Sequence, residues 1–233
     1  MSSAKGRLLS LVGRLALREA ELVAAVDLAP WLRRITLAGA GLRGVTARPG
    51  DKVQVLLPSA DVRTFTPIGW DAAAGQVELV LFRRDACVAG RWIGALREGE
   101  RCRFVGPQRS LDLGVDGAVV IVGDETSLAV ATAVARAGRD VHAVLEVDDV
   151  DGTRAAARAL GVEATPVARV GDDGHLGALV DGVRAALASR PTARVALTGR
   201  AQTIQRVRRE LGASTRGPAS VRPYWSTGKV ALD

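Results

Sequence analysis

The chain has 233 residues, of which 48% are hydrophobic and 24% charged, and its formal net charge is +7. This length accommodates one large domain or two domains of roughly 100 residues each. The basic side chains are dispersed and not interleaved with aromatic ones, which argues against a nucleic-acid-binding protein. No apolar stretch reaches the roughly 20 residues that span a bilayer, so we expect no membrane-spanning helix.

The first half of the chain is predicted to form a succession of short strands. Turn signals such as Pro49-Gly50-Asp51 separate these segments, and residues 52–57 alternate apolar and polar as a half-buried strand does. Strands are predicted over Glu21–Val26, Arg33–Leu37, Lys52–Leu57, Gln76–Phe82 and Arg101–Val105. Many short strands with intervening turns favour a small antiparallel barrel that ends near Leu113.

After Asp116-Gly117 the predicted strands alternate with helical segments. Strands are predicted over Ala118–Val122, Val141–Val147, Thr165–Val170, Arg194–Thr198 and Val221–Trp225. Helices are predicted over Ser127–Ala137, Thr153–Leu160, His175–Ser189 and Ala201–Leu211. This alternation is typical of a parallel, doubly wound sheet. We therefore predict two domains, residues 1–113 and residues 114–233.

The N-terminal segment Lys5–Leu17 has a basic end and a short apolar run that Arg14 interrupts. No clear small-residue cleavage site follows it. We interpret this segment as a helix or leader into the first strand, not as a signal peptide, and we expect a cytoplasmic protein.

The cysteines and histidines do not form a recognisable metal or disulfide pattern. We expect Cys87 and Cys102 to be free, buried thiols, as in a reducing compartment. His142 and His175 lie far apart without companion ligands, so no protein-bound metal is expected.

A polar turn follows the first predicted strand of the second half. Gly123 allows a sharp turn, and Asp124 or Thr126 can cap the Ala-rich helix that follows. Ligands of open α/β sheets bind at the carboxyl ends of strands, and a helix N-terminus there offers N–H groups to a phosphate. A capped helix after a core strand explains the pattern equally well, and G-x-G-x-x-G is absent.

Two segments of the first half carry groups suited to a flat anionic cofactor. In Arg63-Thr64-Phe65-Thr66, an arginine can hold a pyrophosphate, an aromatic ring can pack on a flat ring, and a hydroxyl can bond a ring nitrogen. Residues 87–92 form a Gly- and Ala-rich turn before a predicted helix, Trp92–Leu96, whose N–H groups can receive a phosphate. An ordinary exposed strand and a plain connection anchored by Trp92 are the alternative interpretations.

These segments, in this order, resemble the siderophore-interacting proteins, flavin reductases of the ferredoxin-reductase superfamily. Residues 123–128 are similar to that family's Gly-Asp-Glu-Thr-Ala-Leu-Pro signature, and residues 63–66 to its Arg-x-Tyr-Thr flavin motif, with Phe65 in place of tyrosine. Residues 87–92 resemble its Gly-Pro-Ala-Ser-x-Trp-Ala segment, with Val88 departing from it and Gly90 replacing the serine, and Phe82 replaces a histidine upstream. Residues 223–228 resemble its closing Gly-Tyr-Trp-Arg-x-Gly.

The resemblance implies a fold of class β + α/β, with an N-terminal antiparallel FAD-binding β-barrel followed by a doubly wound parallel-sheet NAD(P)-binding domain. It implies FAD as cofactor, NADPH or NADH as electron donor, and a ferric siderophore as substrate. Arg63 would contact the FAD phosphates, Phe65 would lie beside the isoalloxazine, and Thr66, the catalytic residue, would lie near flavin N5. The implied cofactor-binding residues are Arg63, Thr64, Phe65, Thr66, Ala89, Gly90, Arg91, Trp92, Gly123, Asp124, Glu125, Thr126, Ser127, Tyr224 and Trp225.

The same resemblance leaves several points open. Arg222 and Lys229 would meet an anionic ferric chelate, and Gly106-Pro107 would form the exit from the barrel. Arg200, where the family has glutamate, is either a solvated helix start or a phosphate ligand that indicates NADPH. A flavin reductase for another redox partner and a non-catalytic binding protein are the alternative functions. We expect a monomer or weak dimer, with no nucleic-acid or membrane partner.

Overall fold

A computed structural model describes residues 17–84, 87–212 and 219–227. The chain divides into two compact units, Met1–Arg109 and Ser110–Asp233, so the division falls slightly before the boundary predicted at 113/114. Within the described ranges, no helix is both long enough and apolar enough to cross a bilayer. The predicted N-terminal leader lies outside the described residues except for Leu17.

The first unit is a seven-stranded antiparallel sheet with the strand order β4-β3-β7-β1-β2-β6-β5. The strands are β1 (Leu17–Ala29), β2 (Leu32–Ala38), β3 (Asp51–Leu56), β4 (Val62–Phe65), β5 (Pro67–Asp71), β6 (Gln76–Phe82) and β7 (Arg101–Arg109). One short helix, α1 (Val88–Ala95), lies between β6 and β7. The predicted antiparallel architecture of this unit is confirmed.

The two edge strands of this sheet are consecutive in the chain and are joined by Thr66 alone. A sheet whose edges are tied by one residue has to curl until those edges approach, and β3 contacts β5 while β4 contacts β6. The curled sheet encloses a hydrophobic core. That core includes Leu22, Ile35, Val53, Leu79, Leu81, Ile93 and Phe104.

Three predictions for this unit need correction. The sequence did not predict β5 as a strand because Pro67 opens it, although a proline is tolerated at the first position of an edge strand. Strand β7 does not end at Gly106-Pro107 but continues to Arg109; Gly106 has φ +123°, and a Cβ there would lie 2.8 Å from the Lys52 carbonyl oxygen. Cys102 is buried as expected, whereas Cys87 is exposed.

The second unit is a five-stranded parallel sheet with the order β10-β9-β8-β11-β12. Its strands are β8 (Val119–Asp124), β9 (Val141–Val147), β10 (Glu163–Ala168), β11 (Arg194–Arg200) and β12 (Ser220–Trp225). Its helices are α2 (Leu128–Arg136), α3 (Val150–Ala159), α4 (Leu176–Ser189) and α5 (Ala201–Leu211).

Both faces of this parallel sheet are covered, which explains the continuous β-branched run of β8. Val120 and Val122 pack with residues of α4 and α5. Val119 and Ile121 alternate with them along the strand and are equally buried, and α2 contacts β8 as well. The predicted doubly wound sheet is confirmed, and its carboxyl edge brings the ends of β8, β9 and β11 side by side.

Candidate functional site

In the first unit, one aromatic contact joins two of the segments singled out in the sequence. The rings of Phe65 at the end of β4 and Trp92 in α1 are 6.2 Å apart between centroids, with an interplanar angle of 34°. Both rings are half-buried and pack against the barrel core. Residues 63–66 and the first turns of α1 therefore lie close to each other, although they are separated by two strands in the chain.

Helix α1 begins at Val88, earlier than predicted, because Cys87 caps it. The Cys87 sulfur accepts a hydrogen bond from the Gly90 N–H at 3.3 Å, and the Cys87 carbonyl accepts one from Arg91 N–H. An α-helix leaves the N–H groups of its first turn without intrahelical partners, so those of Val88 and Ala89 have no acceptor within α1.

Gly90 is required by a close backbone approach. A Cβ at this position would lie 1.8 Å from the Arg84 carbonyl oxygen, so the strand exit after β6 leaves no space for any side chain. The siderophore-interacting family motif has a serine at this position, and in this backbone a serine is excluded on steric grounds. A hydroxyl at position 90 therefore cannot contact a phosphate at this turn, whereas backbone N–H groups and Arg91 can.

The remaining residues of the two segments are accessible to a ligand. Arg63, Thr64 and Thr66 are half-buried, and the Arg63 Nη1 donates to the Val62 carbonyl at 2.8 Å. Arg91 is exposed on the first turns of α1. This part of the first unit combines guanidinium groups, a partly exposed aromatic pair and a helix N-terminus.

In the second unit, the turn after β8 is held by its own side chains. Asp124 caps the 3₁₀ turn Glu125–Ser127 by accepting the Thr126 N–H at 2.9 Å and the Thr126 hydroxyl, and the Ser127 hydroxyl accepts the Asp124 N–H at 3.2 Å. Ser127 in turn accepts the Thr198 hydroxyl at 2.7 Å. A buried carboxylate thus occupies the position where the sequence predicted a phosphate-binding helix N-terminus.

Asp124 also binds the last described strand. The indole Nε1 of Trp225 donates to Asp124 Oδ2 at 2.5 Å. Burial raises the pKa of the Asp124 carboxyl above its usual range, and the hydrogen bonds from Thr126 and Trp225 only partly oppose this. The neutral form of this side chain is therefore favoured by its surroundings more than in water.

Two ion pairs lie near the carboxyl edge of the parallel sheet. Glu125 is bound by Arg169, which follows β10, through a bidentate pair with N–O distances of 3.0 and 2.8 Å. Arg200, at the end of β11, forms a second bidentate pair with Asp173. Arg200 does stand at the start of α5, but it is not solvated as the first of the two alternatives predicted, because its side chain is only 14% exposed and its charge is paired.

Behind these pairs, the buried carboxylate of Glu146 at the end of β9 connects two helices to the sheet. It lies 2.7 Å from His175 Nε2 and accepts the Thr203 hydroxyl at 2.8 Å. His175 Nδ1 lies 3.2 Å from the Val170 nitrogen and 3.3 Å from the Val170 carbonyl oxygen, so the ring is held on both sides. Within the described residues, no group of three His, Cys, Asp or Glu side chains is arranged to hold a metal ion.

Several solved structures share this architecture. A siderophore utilization protein from T. fusca matches with a TM-score of 0.71 and 22% identity, over 94% of this chain and 96% of that one. The siderophore-interacting protein SipS from Aeromonas hydrophila matches with 0.71 and 21%, over 92% and 93%. The ferredoxin reductase in carbazole 1,9a-dioxygenase matches with 0.72 and 18%, over 91% of this chain and 70% of that one. The chain has the ferredoxin-reductase-like fold. No protein-family model matches the sequence, and neither does any curated protein.

Within this ferredoxin-reductase-like fold, the predicted site residues form two groups. Residues 63–66 and 89–92 meet in the first unit through the Phe65–Trp92 contact, and residues 123–127 meet Trp225 in the second. Tyr224 and Arg222 are half-buried on the edge strand β12. Lys229 lies outside the described residues.

Asp148 and Arg169 belong to no motif in the sequence, although both lie at the carboxyl edge of the ferredoxin-reductase-like sheet. Asp148 directly follows the buried strand β9, and Arg169 directly follows β10. A charged residue immediately after an apolar strand was the available signal. The pairing of Arg169 with Glu125 had no signal in the sequence, because the two residues are brought together only by the sheet order.

Proposed function

We propose that this protein is an FAD-dependent, NAD(P)H-linked reductase of ferric siderophores that releases Fe(II) in the cytoplasm. In this proposal FAD binds to the antiparallel unit and the nicotinamide dinucleotide binds to the parallel-sheet unit. The observation that carries the proposal is the Phe65–Trp92 contact, which joins the Arg63–Thr66 strand to the N-terminus of α1 in a fold shared with siderophore-interacting proteins.

The side chains of the first unit fit a flavin dinucleotide chemically. Arg63 and the N–H groups in the first turn of α1 suit a pyrophosphate, which is anionic and accepts hydrogen bonds. The partly exposed rings of Phe65 and Trp92 suit a flat conjugated ring. The carbazole dioxygenase reductase, one of the structural neighbours, has also been solved in an FAD apo form.

FAD, when bound, would supply the redox chemistry, which is the transfer of electrons from NAD(P)H to Fe(III). The protein's own residues bind and orient. Arg63 would neutralise the pyrophosphate, and Phe65 and Trp92 would hold the ring system. Thr66, the single residue between β4 and β5, would offer its hydroxyl to the flavin ring nitrogen N5.

Iron is the substrate's cargo in this proposal and not a resident cofactor. Siderophores hold Fe(III) through hard oxygen ligands, and Fe(II) binds such ligands more weakly, so reduction favours release. Arg222 and Lys229 supply positive charge for an anionic ferric chelate.

The first test is the visible absorption spectrum of the purified protein, before and after incubation with FAD and desalting. We expect retained flavin bands in the wild type and at least tenfold weaker FAD binding in Arg63→Gln, since a charge-assisted phosphate contact is lost. Arg103→Gln makes the same charge change at an exposed position of β7 and should leave FAD affinity unchanged. A wild-type protein that stays colourless after incubation would contradict the proposal and favour a non-catalytic binding protein.

The second test concerns the electron acceptor, which is a ferric siderophore in this proposal. With FAD bound, we expect oxidation of NADH or NADPH to accelerate when ferric siderophores are added, with Fe(II) trapped by a ferrous chelator. A reductase that serves a redox protein is the second candidate, because the carbazole and phthalate dioxygenase reductases match this chain as well as the siderophore proteins do, with TM-scores of 0.72 and 0.70. Faster turnover with a [2Fe–2S] ferredoxin than with every ferric chelate would favour that candidate.

A further inference from the structure

One guanidinium holds the segment that joins the two units, residues 110–118, which we call the connector. Arg139, three residues after α2, uses four of its five N–H groups to donate to backbone carbonyls of the connector. The accepting carbonyls, with their distances from the guanidinium nitrogens, are those of Leu113 at 2.9 Å, Gly114 at 3.2 Å, Asp116 at 2.8 Å and Gly117 at 3.0 Å. A single side chain thus fixes the backbone path of the connector.

The backbone of the connector is shaped so that these carbonyls converge. Gly114 and Gly117 have φ of +68° and +78°, in the left-handed region that favours glycine. Space is also short at Gly114, where a Cβ would lie 2.6 Å from Arg194 Nε. The two glycines therefore allow the chain to curl around the Arg139 guanidinium.

The electrostatic surroundings of Arg139 do not account for its position. Burial lowers the pKa of its guanidinium, the charge of Arg194 lowers it further, and the charge of Asp116 only partly opposes them. The connector carbonyls hold the group in place, because each accepts a charge-assisted hydrogen bond.

The connector is also bound to the second unit near its start. The Asp112 N–H donates to the Ser220 hydroxyl of β12 at 3.1 Å. Arg109, the residue that ends β7, is still paired with β3 in the first unit. Two residues, Ser110 and Leu111, therefore separate the last paired residue of the first unit from the first residue that is hydrogen-bonded within the second.

Resting on the function proposed above, we propose that Arg139 is a positioning residue for electron transfer. By holding the connector on the parallel-sheet unit, it confines turning of the chain between the two units to Ser110 and Leu111. The step concerned moves one hydride, a proton with two electrons, from the dihydronicotinamide to the flavin, and leaves an oxidised nicotinamide cation and a reduced flavin anion. Such a step needs reacting atoms within about 3–3.5 Å, and a displacement of about 1 Å can slow it about a hundredfold.

The first test needs neither flavin nor turnover. Hydrogen exchange of the full-length protein, followed by mass spectrometry, should be roughly tenfold faster in peptides covering the connector for Arg139→Ala than for the wild type, since four carbonyls lose their common donor. Guanidinium chloride below denaturing concentrations should slow this exchange again, because the free cation offers the same N–H groups to the same carbonyls. Potassium chloride at equal concentration should not slow it.

The second test follows flavin reduction in a single turnover with saturating NADH or NADPH. We expect the reduction rate of Arg139→Ala to fall roughly tenfold, whereas the dissociation constants of FAD and of the nucleotide stay unchanged. Added guanidinium should restore the rate together with the slow exchange. A residue that only stabilised the fold would instead lower the thermal midpoint and weaken both binding constants.

Three further variants control these measurements. Arg139→Lys keeps the charge but has only three N–H groups, so it should show smaller changes of the same kind, and it replaces Arg139→Ala if that variant does not fold. Gly117→Ala disturbs the left-handed backbone while the guanidinium stays, so its faster exchange should not respond to added guanidinium. Arg158→Ala removes an exposed guanidinium from α3 and should leave both measurements unchanged.

The outcomes separate this inference from the proposed function. Unchanged connector exchange in Arg139→Ala, or faster exchange with an unchanged rate of flavin reduction, overturns the positioning role and leaves the reductase proposal standing. Equal rescue by guanidinium and potassium chloride overturns it as well. A wild type whose bound flavin is reduced by neither nucleotide overturns the proposed function, and with it the role of Arg139 in electron transfer, whatever the exchange shows.

Discussion

The indole Nε1 of Trp225 donates to the carboxylate Oδ2 of Asp124 at 2.5 Å, across the intervening strand β11. The contact passes Gly199, whose φ of +83° and missing side chain leave the necessary space. It joins the last described strand to the turn after β8, which is the turn the sequence singled out for ligand binding. The geometry of that turn therefore depends on a residue a hundred positions later.

Replacing Trp225 with phenylalanine should destabilise the second unit by about 1–3 kcal/mol, because a buried carboxylate oxygen loses its donor. The measurement is urea unfolding followed by far-UV circular dichroism. A double-mutant cycle with Asp124→Asn isolates the interaction energy of the two side chains. In the Asp124→Asn background, Trp225→Phe should lower the free energy of unfolding by distinctly less than in the wild type. Equal costs in both backgrounds would show that this contact contributes nothing specific.

The raised pKa of Asp124 predicts a pH dependence of stability with a defined sign. Burial favours the protonated form in the folded state, so the contribution of Asp124 to stability is fully present below its ordinary pKa of about 4 and is lost as the pH rises through the raised folded value. The free energy of unfolding of the wild type should therefore fall relative to that of Asp124→Asn between pH 4 and pH 7.

The same series in Trp225→Phe serves as a control for this titration. The Trp225 hydrogen bond lowers the pKa of Asp124, so its removal should extend the fall in stability to higher pH. A difference between wild type and Asp124→Asn that stays constant from pH 4 to pH 7 would contradict the direction of the shift.

Gly199→Ala should be strongly destabilising, by about 2 kcal/mol or more. The backbone adopts a left-handed conformation there, and the new Cβ would lie 2.7 Å from Asp124 Oδ2 and 3.0 Å from the Asp124 nitrogen. Gly177→Ala in α4 is the matched control: nothing lies within 4 Å of its Cβ, so it should be neutral or stabilise by up to about 1 kcal/mol. Equal effects of the two substitutions on the thermal midpoint would refute the steric argument.

The two thiols should differ sharply in reactivity. Cys87 is exposed, whereas burial, aided by the charge of Glu100, raises the pKa of the Cys102 thiol to about 11. A disulfide reagent at pH 8 should therefore label one thiol in the native protein and both in urea. Cys87→Ser should abolish native labelling, and labelling of Cys102 in that folded variant would contradict its burial.

FAD should also protect Cys87, because the thiol caps the helix whose first turn is proposed to face the pyrophosphate. We expect pre-incubation with FAD to slow native labelling several-fold, whereas labelling in urea should not change. Unaltered labelling at saturating FAD would argue against a phosphate at the N-terminus of α1.

The fold could be predicted where the pattern is local. The bounds of β6, β9 and α5 agree with the predictions from apolar spacing, because a strand buried on one or both faces and an amphipathic helix each repeat their contacts every few residues. Strand β5 was missed because Pro67 and the short loop residues around it carry no such repeat, and only pairing with β6 makes the segment a strand.

The candidate sites divide in the same way. Sequence alone determined the two-part architecture and the residue types at the strand and helix ends, including Arg63, Phe65, Trp92 and the turn at Gly123, because those signals lie within single segments. Only the tertiary structure decided which of them meet: Phe65 with Trp92, Asp124 with Trp225, and Glu125 with Arg169 and Asp148. The physical reason is that hydrogen bonds and ion pairs act over a few ångströms in space, and the strand order, not the spacing along the chain, sets those distances.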